Sequence, residues 1–583
     1  MAFKSRIYTP LDTSRNEIRV LQIKSLATDE PQDALLDCSL TVVSLDDRLV
    51  NFDALSYAWG EPGATETILL EGQQWEIRRN LFDALMTFRS MIGIPQKFFQ
   101  ISPLLFADAL CINQEDLDER SSQVQLMKDI YKRAKMVRVW LGLGGPEVEA
   151  LFIEAESRGP TSTAAKRKET DSKTVPDVVR NIAENHDSAF VDVMSRTWWQ
   201  RLWVVQEVLQ SLDSIAFCGT STIMFLKLLD LSDAILKAVE QRSISTRSIK
   251  SWSPPALSLA FFEFASKHDE LQRRADPIMN VFSHLSLLQV SDPLDRVYGL
   301  RSLFDPDLSI RVDYTLSPQD VYQQLFSKMM MEYKSLASLV LCHNMHSEPH
   351  WPSWVPDLRN LRSRVDEPEP ATLNRGASIC GRADFFATIR NQIELVVRGD
   401  FIDEIHDVGL TYHKSNEQIE DDIDIAALRT VLAEWHRTAC SPDRTRPVNI
   451  ERSVEFWQTF DRTPWSSMVK LDEVHRPPEV LETIEDLEAW LADKEAALSS
   501  LAGAYLRAMK PLSGLTLFLS ERGLIAISRS EPRIGDRTAI LAGCPAPMIL
   551  RARCSDDREV FEIVGPCHLE GIHTSSHCNR FSC

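Results

Sequence analysis

Trp203 and Glu207 stand four residues apart in the apolar stretch RTWWQRLWVVQEVL. The stretch predicts a helix in which Trp199, Trp203 and Glu207 share one face, because four residues make about one helical turn. A carboxylate on such a face can stabilise the positive charge that builds on a sugar carbon when its bond to a leaving group breaks. Glu207 could supply such a carboxylate. The alternative is structural, with Glu207 paired to Arg201 or Arg196.

Polar and aromatic residues also stand where two predicted strands end. ALSYA at 54–58 and LLFADAL at 104–110 are typical of buried strands. The carboxyl ends of parallel strands meet at one edge of a sheet, where ligands usually bind. The residues that this rule places in one ligand-binding cleft with Trp203 are Tyr57, Trp59, Gly60, Asp108 and Asn113. For each of them the alternative is a structural role in the core, in a loop cap or in a turn.

The elements that must position these residues alternate between strands and helices from 51 to 142. ETILLEG and QWEIR predict a hairpin that turns at Gly72, and Asn80 is the predicted N-cap of the next helix. A long helix is predicted after CINQ, and VRVWLG at 137–142 predicts a third core strand. This alternation is typical of an α/β fold with a parallel sheet.

The pattern changes along the chain and predicts several regions. Polar residues at 157–177 predict a flexible insertion, helical periodicity dominates from about 225, and short β-like runs fill 511–572. The predicted regions are lead-in strands at 1–50, the α/β domain at 51–210, a mainly helical region at 225–358, and a C-terminal α+β region at 376–583 that contains the β-rich unit.

Composition excludes several classes of function. The net charge of −20 opposes nucleic-acid binding, because phosphates are neutralised by clustered Lys and Arg. The eleven cysteines form no CxxC pair, which favours a reducing compartment, and we expect a cytoplasmic protein. No apolar run approaches the roughly 20 residues of a membrane-spanning helix, so no integral membrane segment is predicted.

Other catalytic chemistries fit the sequence less well. The first third of the chain offers Cys111 only His186 as a base, and His186 lies beside the polar insertion, so a buried structural thiol is the better interpretation. The acidic cluster at 115–119 favours a solvated helix start with Glu119 paired to Arg120 over a metal site. The GxSxG, P-loop, HExxH and GxGxxG motifs are absent.

Three blocks of the N-terminal third resemble the HET (heterokaryon incompatibility) domain in order and spacing. They are ALSYAWGEP at 54–62, LFADALCINQEDLDERSSQVQLMKDIYKRAKMVRVWLG at 105–142, and RTWWQRLWVVQEV at 196–208. Later segments, among them DPLDRVYGL at 292–300 and WPSWVPDL at 351–358, resemble those that follow the domain in long fungal HET proteins. The resemblance implies self/non-self recognition and programmed cell death through regulated association, with protein partners that are an incompatibility partner or further copies of the chain.

The third block is also similar to the Trp-Cys-x-x-Glu pattern of TIR domains, with Val204 in place of the Cys. The HET family is regarded as a distant relative of that fold, which implies a TIR-like or flavodoxin-like parallel sheet. The resemblance gives a second hypothesis, an NAD-cleaving hydrolase that is activated by assembly. The resemblance implies that Glu207 is the catalytic residue and NAD its substrate, and no metal is needed.

Two later motifs carry alternatives of their own. Asp292, Asp295 and Arg296 predict a local turn network that joins the middle of the chain to the first domain. The tryptophans and prolines of WPSWVPD either form an exposed recognition surface or clamp an extended strand onto a domain.

Overall fold

The computed structural model describes the chain in segments separated by gaps. The described residues are 7–25, 35–96, 99–158, 177–209, 211, 213–240, 244, 288–301, 308, 310–343, 350–359, 385–391, 393–411, 425–440, 456, 486–493, 514–555 and 558–569. The chain forms two units, Met1–His268 with His284–Pro318 and Asp269–Ser283 with Gln319–Cys583. The predicted insertion at 157–177 and most of the predicted helical stretch between 241 and 287 lie outside the described residues.

A mixed sheet forms the centre of the first unit. Its strands are β1 (Glu17–Ile23), β2 (Asp37–Ser44), β3 (Asp53–Tyr57), β4 (Thr65–Leu70), β5 (Gln73–Arg78), β6 (Leu104–Phe106), β7 (Val137–Trp140), β8 (Ser214–Cys218) and β9 (Ser221–Met224). They lie in the order β5-β4-β2-β1-β6-β3-β7-β8-β9. β6, β3, β7 and β8 pair in parallel, which confirms the predicted α/β class.

The order in which the chain adds parallel strands to the sheet reverses at β3. From β3 the chain passes to β6 on one side, then crosses to β7 and β8 on the other. In open α/β sheets with such a reversal of strand order, ligands usually bind at the carboxyl ends of the strands beside the crossing point. The topology therefore directs attention to the residues that follow β3, β6 and β7.

Helices cover the sheet of the first unit. They are α1 (Arg79–Met91), α2 (Asp108–Cys111), α3 (Leu117–Arg133), α4 (Pro146–Arg158), α5 (Asp177–Asn185), α6 (Asp187–Met194), α7 (Trp203–Leu209), α8 (Phe225–Glu240) and α9 (Asp295–Tyr298). α3 begins where the Asp116 carboxylate accepts the backbone N–H groups of Asp118 and Glu119. Its apolar face buries Val124, Met127, Ile130 and Tyr131.

The predicted single helix at 196–209 is wrong. A 3-10 turn at Thr197–Gln200 precedes α7, and the two are separated where Arg201 forms a β-bridge with Gln289. The Leu202 N–H donates to the Gln289 carbonyl at 3.1 Å, so the backbone there pairs with another segment instead of continuing a helix. Trp199 consequently leaves the face of Trp203 and Glu207 and stacks on Phe225.

Two predicted helix and strand boundaries are also wrong. The predicted strand LLFADAL ends at Phe106, and Asp108 already begins α2. The N-cap of α1 is Arg78 and not Asn80, which lies inside the helix and directs its side chain to Ala58 after β3 and to Trp140 of β7. The predicted hairpin that turns at Gly72 is confirmed as β4–β5.

The described part of the second unit contains helices, a hairpin and an antiparallel sheet. Its elements are α10 (Pro318–Tyr333), a 3-10 turn (Ala337–Leu341), β10 (Ala387–Arg390), β11 (Glu394–Val397), β12 (Gly399–Thr411), α11 (Ile425–Cys440), β13 (Thr516–Ser520), β14 (Ile525–Ser528), β15 (Arg537–Leu541), β16 (Met548–Ser555), β17 (Arg558–Pro566) and β18 (His568–Leu569). The sheet order is β17-β16-β15-β12-β13-β14-β18, so the predicted β-rich C-terminal segment is confirmed. Trp435 of α11 belongs to the same hydrophobic core as Leu517 and Ile527 of the sheet.

In the described residues no helix combines the length and apolar character that crossing a membrane requires.

Candidate functional site

The carboxyl ends of β3 and β6 meet, as the sequence predicts. The Trp59 indole Nε1 donates to the Asp108 carboxylate at 3.0 Å, which joins the loop after β3 to the start of α2. The Arg78 guanidinium lies over the Trp59 ring, 5.3 Å from its centroid, and donates to the Gly60 carbonyl at 2.8 Å. These contacts fix the loop after β3 beside the carboxylate of Asp108.

Asn80 also fixes the loop after β3. Its side-chain Nδ2 donates to the Ala58 carbonyl at 2.6 Å, and its Oδ1 accepts the Trp140 indole N–H at 2.9 Å. Gly60 has φ +79°, and a Cβ there would come within 3.2 Å of the Asn80 Cβ. A glycine is therefore required at this turn both by the backbone conformation and by the closeness of Asn80.

Glu207 lies on α7 beneath this edge of the sheet and is 2% exposed. Burial raises the pKa of its carboxyl to about 7, the Arg201 guanidinium and a hydrogen bond from Ser56 act against that rise, and the charge of Asp108 adds to it. One carboxylate oxygen, Oε2, has no hydrogen-bond partner in the part of the chain that the structure describes. A buried carboxylate with a pKa near neutrality and a free oxygen is typical of functional sites.

Tyr57, Asp108, Arg201 and Glu207 form one electrostatically coupled cluster. Arg201 donates to the Tyr57 carbonyl oxygen. Burial, and then the negative charge of Asp108, hold the pKa of Tyr57 well above its usual value. The structure thus brings together Tyr57, Trp59, Asp108 and Glu207 of the predicted residues, with Gly60 in the adjoining turn.

Asn113 and Trp203 are engaged elsewhere. Asn113 makes a turn in which its Oδ1 accepts the Glu115 N–H at 3.4 Å, and its own N–H donates to Glu119. The Trp203 side chain hydrogen-bonds Asp295, which belongs to the segment after the domain. Neither side chain is part of the cluster around Glu207.

The segment that carries Asp295 is held against α3 and α7. Asp295 is buried and accepts the Tyr314 hydroxyl at 2.7 Å, and burial raises its pKa. The Arg120 guanidinium lies 3.7 Å from the Tyr314 ring centroid and 3.5 Å from the Asp292 carboxylate. The predicted turn network around Asp292 and Asp295 therefore does connect this segment to the first domain.

The structure decides two alternatives that the sequence analysis considered, one at Cys111 and one at Glu119. The Cys111 thiol is buried and its pKa is raised to about 12 by burial, the reverse of what activates a nucleophile. The predicted pairing of Glu119 with Arg120 is wrong, because Glu119 binds Arg19 at 2.7 Å, a partner one hundred residues away in the chain. Arg19 is fully buried by the folded chain, and no local pattern reveals it.

Sequence reasoning missed four residues that shape the site: Ser56, Arg78, Asn80 and Arg201, the last considered only as a structural partner of Glu207. Ser56 is enclosed between Glu207 and the Trp198 indole, which donates to its hydroxyl at 2.9 Å. Its inward direction follows from the period of β3, since Ser56 and Ala54 share a face. That period is the one sequence signal that could have identified a polar residue facing α7.

The fold and the site define the class of protein. It has an α/β domain with an electrostatically coupled cluster of side chains at the carboxyl ends of its parallel strands. Residues 52–207 match the family described as heterokaryon incompatibility protein (HET), so this stretch of the chain is a HET domain. It is similar to heterokaryon incompatibility protein 6, OR allele, of Neurospora crassa, with 21% identity over an alignment that covers 90% of this chain and 89% of the relative. No solved structure matches the chain.

Proposed function

We propose that this protein acts in heterokaryon incompatibility, the recognition of self and non-self between fungal individuals, and that its HET domain triggers cell death when the protein associates. The observation that carries the proposal is the alignment with an incompatibility protein along nearly the whole chain, together with the HET match at 52–207. A metabolic role would not require the segments outside the domain to be shared as well.

The geometry supports a domain that is controlled by association. The carboxylate of Glu207 is enclosed by α7 and by the sheet, and α7 is held in place by the Trp203–Asp295 hydrogen bond. A change that moves the segment containing Asp295 would therefore be transmitted to the helix that carries Glu207. A partner that moves this segment would therefore bias the position of the helix that carries Glu207.

Forced association tests the proposal directly. The full chain is fused to a module that dimerises on addition of a small molecule and is expressed in a fungal host. We expect colony survival to fall when the dimeriser is added and to stay unchanged without it. Equal survival at equal protein levels, with dimerisation verified by crosslinking, would contradict control by association.

The second candidate function is NAD cleavage, which the buried Glu207 favours. In this reaction the bond between the ribose carbon and the nicotinamide nitrogen breaks, and the electron pair goes to the nitrogen, which starts out positively charged. The ribose carbon becomes positive, the Glu207 carboxylate stabilises it, and water adds to the carbon and releases a proton. Oε2 of Glu207 has no hydrogen-bond partner among the described residues but is buried, so this reaction requires that assembly open the site to substrate.

Glu207→Gln tests this candidate because it removes the charge and keeps the shape. We expect NAD loss by the dimerised protein to fall by about a hundredfold or more, the size of effect seen when one transition-state contact is removed. Glu184→Gln, the same change at an exposed helical position, is the matched control and should leave NAD loss unchanged. Cell death that persists in Glu207→Gln at wild-type strength would leave association alone as the mechanism.

A further inference from the structure

The strap, residues 288–300, lies outside the HET match and is bonded to the turn that precedes α7. The Gln289 N–H donates to the Gln200 carbonyl, and the Gln289 carbonyl accepts the Leu202 N–H at 3.1 Å. The two glutamine side chains are joined as well, with Nε2 of Gln289 donating to Oε1 of Gln200 at 2.8 Å. The strap therefore fixes the backbone on both sides of Arg201.

A second part of the strap is attached to the start of α7. The Asp295 carboxylate is 5% exposed and accepts a hydrogen bond from Trp203, the first residue of the helix. Gly299 packs close to Leu202, since a Cβ on Gly299 would come within 3.5 Å of the Leu202 side chain. Together with the β-bridge between Arg201 and the strap, these contacts engage each of the residues 200–203.

The strap occupies two backbone groups that a continuous helix would use. In an α-helix each N–H bonds the carbonyl four residues earlier. The Leu202 N–H would then donate to the Trp198 carbonyl, and the Gln200 carbonyl would accept the Val204 N–H. In the structure Gln289 bonds both groups instead. The strap and a continuous helix therefore compete for the same hydrogen bonds.

The sequence of the turn favours the helix. RTWWQRLWVVQEVL keeps helical spacing of its apolar residues through the break and contains no glycine or proline. Arg201 nevertheless has an extended backbone with φ −88° and ψ 137°, whereas a helix requires ψ near about −42°. Conflict between local preference and tertiary pairing is expected at functional sites. The turn therefore has a second conformation available when the strap leaves.

A change at Arg201 would reach the cluster around Glu207. The Arg201 guanidinium donates to the Tyr57 carbonyl, and its charge opposes the rise of the Glu207 pKa. Trp198 and Trp199 are each 1% exposed and packed in the core, so the turn before Arg201 is anchored. The movement would therefore fall on α7, the helix that carries Glu207.

We propose that the strap is an inhibitory contact that prevents residues 197–209 from forming one helix. While Gln289 holds the turn, Arg201 stays on the Tyr57 carbonyl and Glu207 stays enclosed. Release of the strap joins the turn to α7, withdraws Arg201 and moves Glu207. The inhibitory role rests on the proposed function, in which association switches the domain on, whereas the competition between strap and helix does not.

Gln289→Pro tests the strap, because proline lacks the N–H that bonds the Gln200 carbonyl. Gln289→Ala is the matched control, since it removes the side-chain bond to Gln200 and keeps both backbone groups.

Val204→Pro tests the helix. Val204 lies in the first turn of α7, where proline is tolerated, but in a continuous helix the proline ring would clash with the Gln200 carbonyl. Val204→Ala is the control, because it shortens the side chain and leaves a continuous helix possible.

Hydrogen exchange of the full-length protein, measured by mass spectrometry on overlapping peptides, reports on both elements. We expect Gln289→Pro to raise the exchange rate at 290–300 about tenfold, the effect of one lost hydrogen bond. Exchange at 203–204 should slow about tenfold, because the first N–H groups of α7 gain carbonyl partners in the longer helix. Gln289→Pro combined with Val204→Pro should lose the slowing at Trp203, and both alanine variants should stay within about twofold of the wild type.

Faster or unchanged exchange at 203–204 in Gln289→Pro would overturn the proposal, because the freed turn would then have unfolded or stayed as it was. If Gln289→Pro does not fold by circular dichroism, the same pattern is expected in Asp295→Ala, which frees the strap from Trp203.

The dimerisable fusion separates this inference from the proposed function. Adding the dimeriser should speed exchange at 290–300 and slow it at 203–204. Colony death without that change in exchange would overturn the inhibitory role of the strap. The change in exchange without colony death would support the strap and contradict the proposed function.

Discussion

Glu207 shows how burial changes the chemistry of one side chain. Its carboxyl is enclosed beside Ser56 and Arg201, and these partners do not fully offset the loss of water, so its pKa rises to about 7. The neighbouring Asp108 is only partly buried and hydrogen-bonded to Trp59. Two acidic residues that look alike in the sequence therefore have different environments and can have different roles.

The raised pKa predicts a pH-dependent stability. A carboxyl with a folded-state pKa of about 7 and an unfolded value of 4.5 binds its proton more tightly in the folded protein. Its effect is absent below pH 4.5, destabilises the fold progressively as pH rises to about 7, and then levels off. The shift corresponds to about 3 kcal/mol at alkaline pH.

Glu207→Gln removes this effect because the amide does not titrate. We expect the thermal unfolding midpoint of the variant to equal that of the wild type near pH 4.5 and to exceed it at pH 8. Groups outside the cluster titrate alike in both proteins, so the difference between the two midpoints reports on Glu207 and the groups coupled to it. A difference that does not change with pH would show that Glu207 is not protonated differently on folding.

At the scale of elements, the central strands are joined by a buried ion pair. Arg138 of β7 donates through Nε to Asp53 of β3 at 3.0 Å, and both side chains are fully buried. Asp53 also accepts the Ser102 N–H at 3.1 Å, which adds the segment before β6. The pair therefore sets the positions of three adjacent strands whose carboxyl ends form the site.

Removing one partner of this pair leaves an uncompensated buried charge. We expect Arg138→Met to lower the free energy of unfolding by roughly 3–5 kcal/mol, the usual cost of breaking a buried pair. Asp53→Asn combined with Arg138→Met should recover part of that loss, because the remaining charge is gone. Chemical denaturation of the wild type, both single variants and the double variant measures the coupling, and additive losses would contradict a mutual stabilisation.

At the scale of the whole molecule, the first folded unit extends beyond the stretch that matches the HET family. The HET match ends at residue 207, inside α7, whereas the sheet of the first unit continues with β8 and β9. Residues as distant as Tyr314 also belong to this unit and contact α3 through Arg120. The motif blocks within the HET match are therefore the part of the unit that carries the cluster, and later segments complete its packing.

The sequence by itself determined the α/β class, the parallel strands, the hairpin at Gly72 and the β-rich C-terminal segment, because these follow from local hydrophobic periods and turn residues. It also placed Tyr57, Trp59 and Asp108 together, since parallel strands share one carboxyl edge. Only the tertiary structure decided that Arg201 interrupts a helix to pair with Gln289, that Trp203 turns to Asp295, and that Glu119 binds Arg19. These contacts join residues far apart in the chain, and the burial that raises the pKa of Glu207 comes from all the elements around it, so no local pattern encodes them.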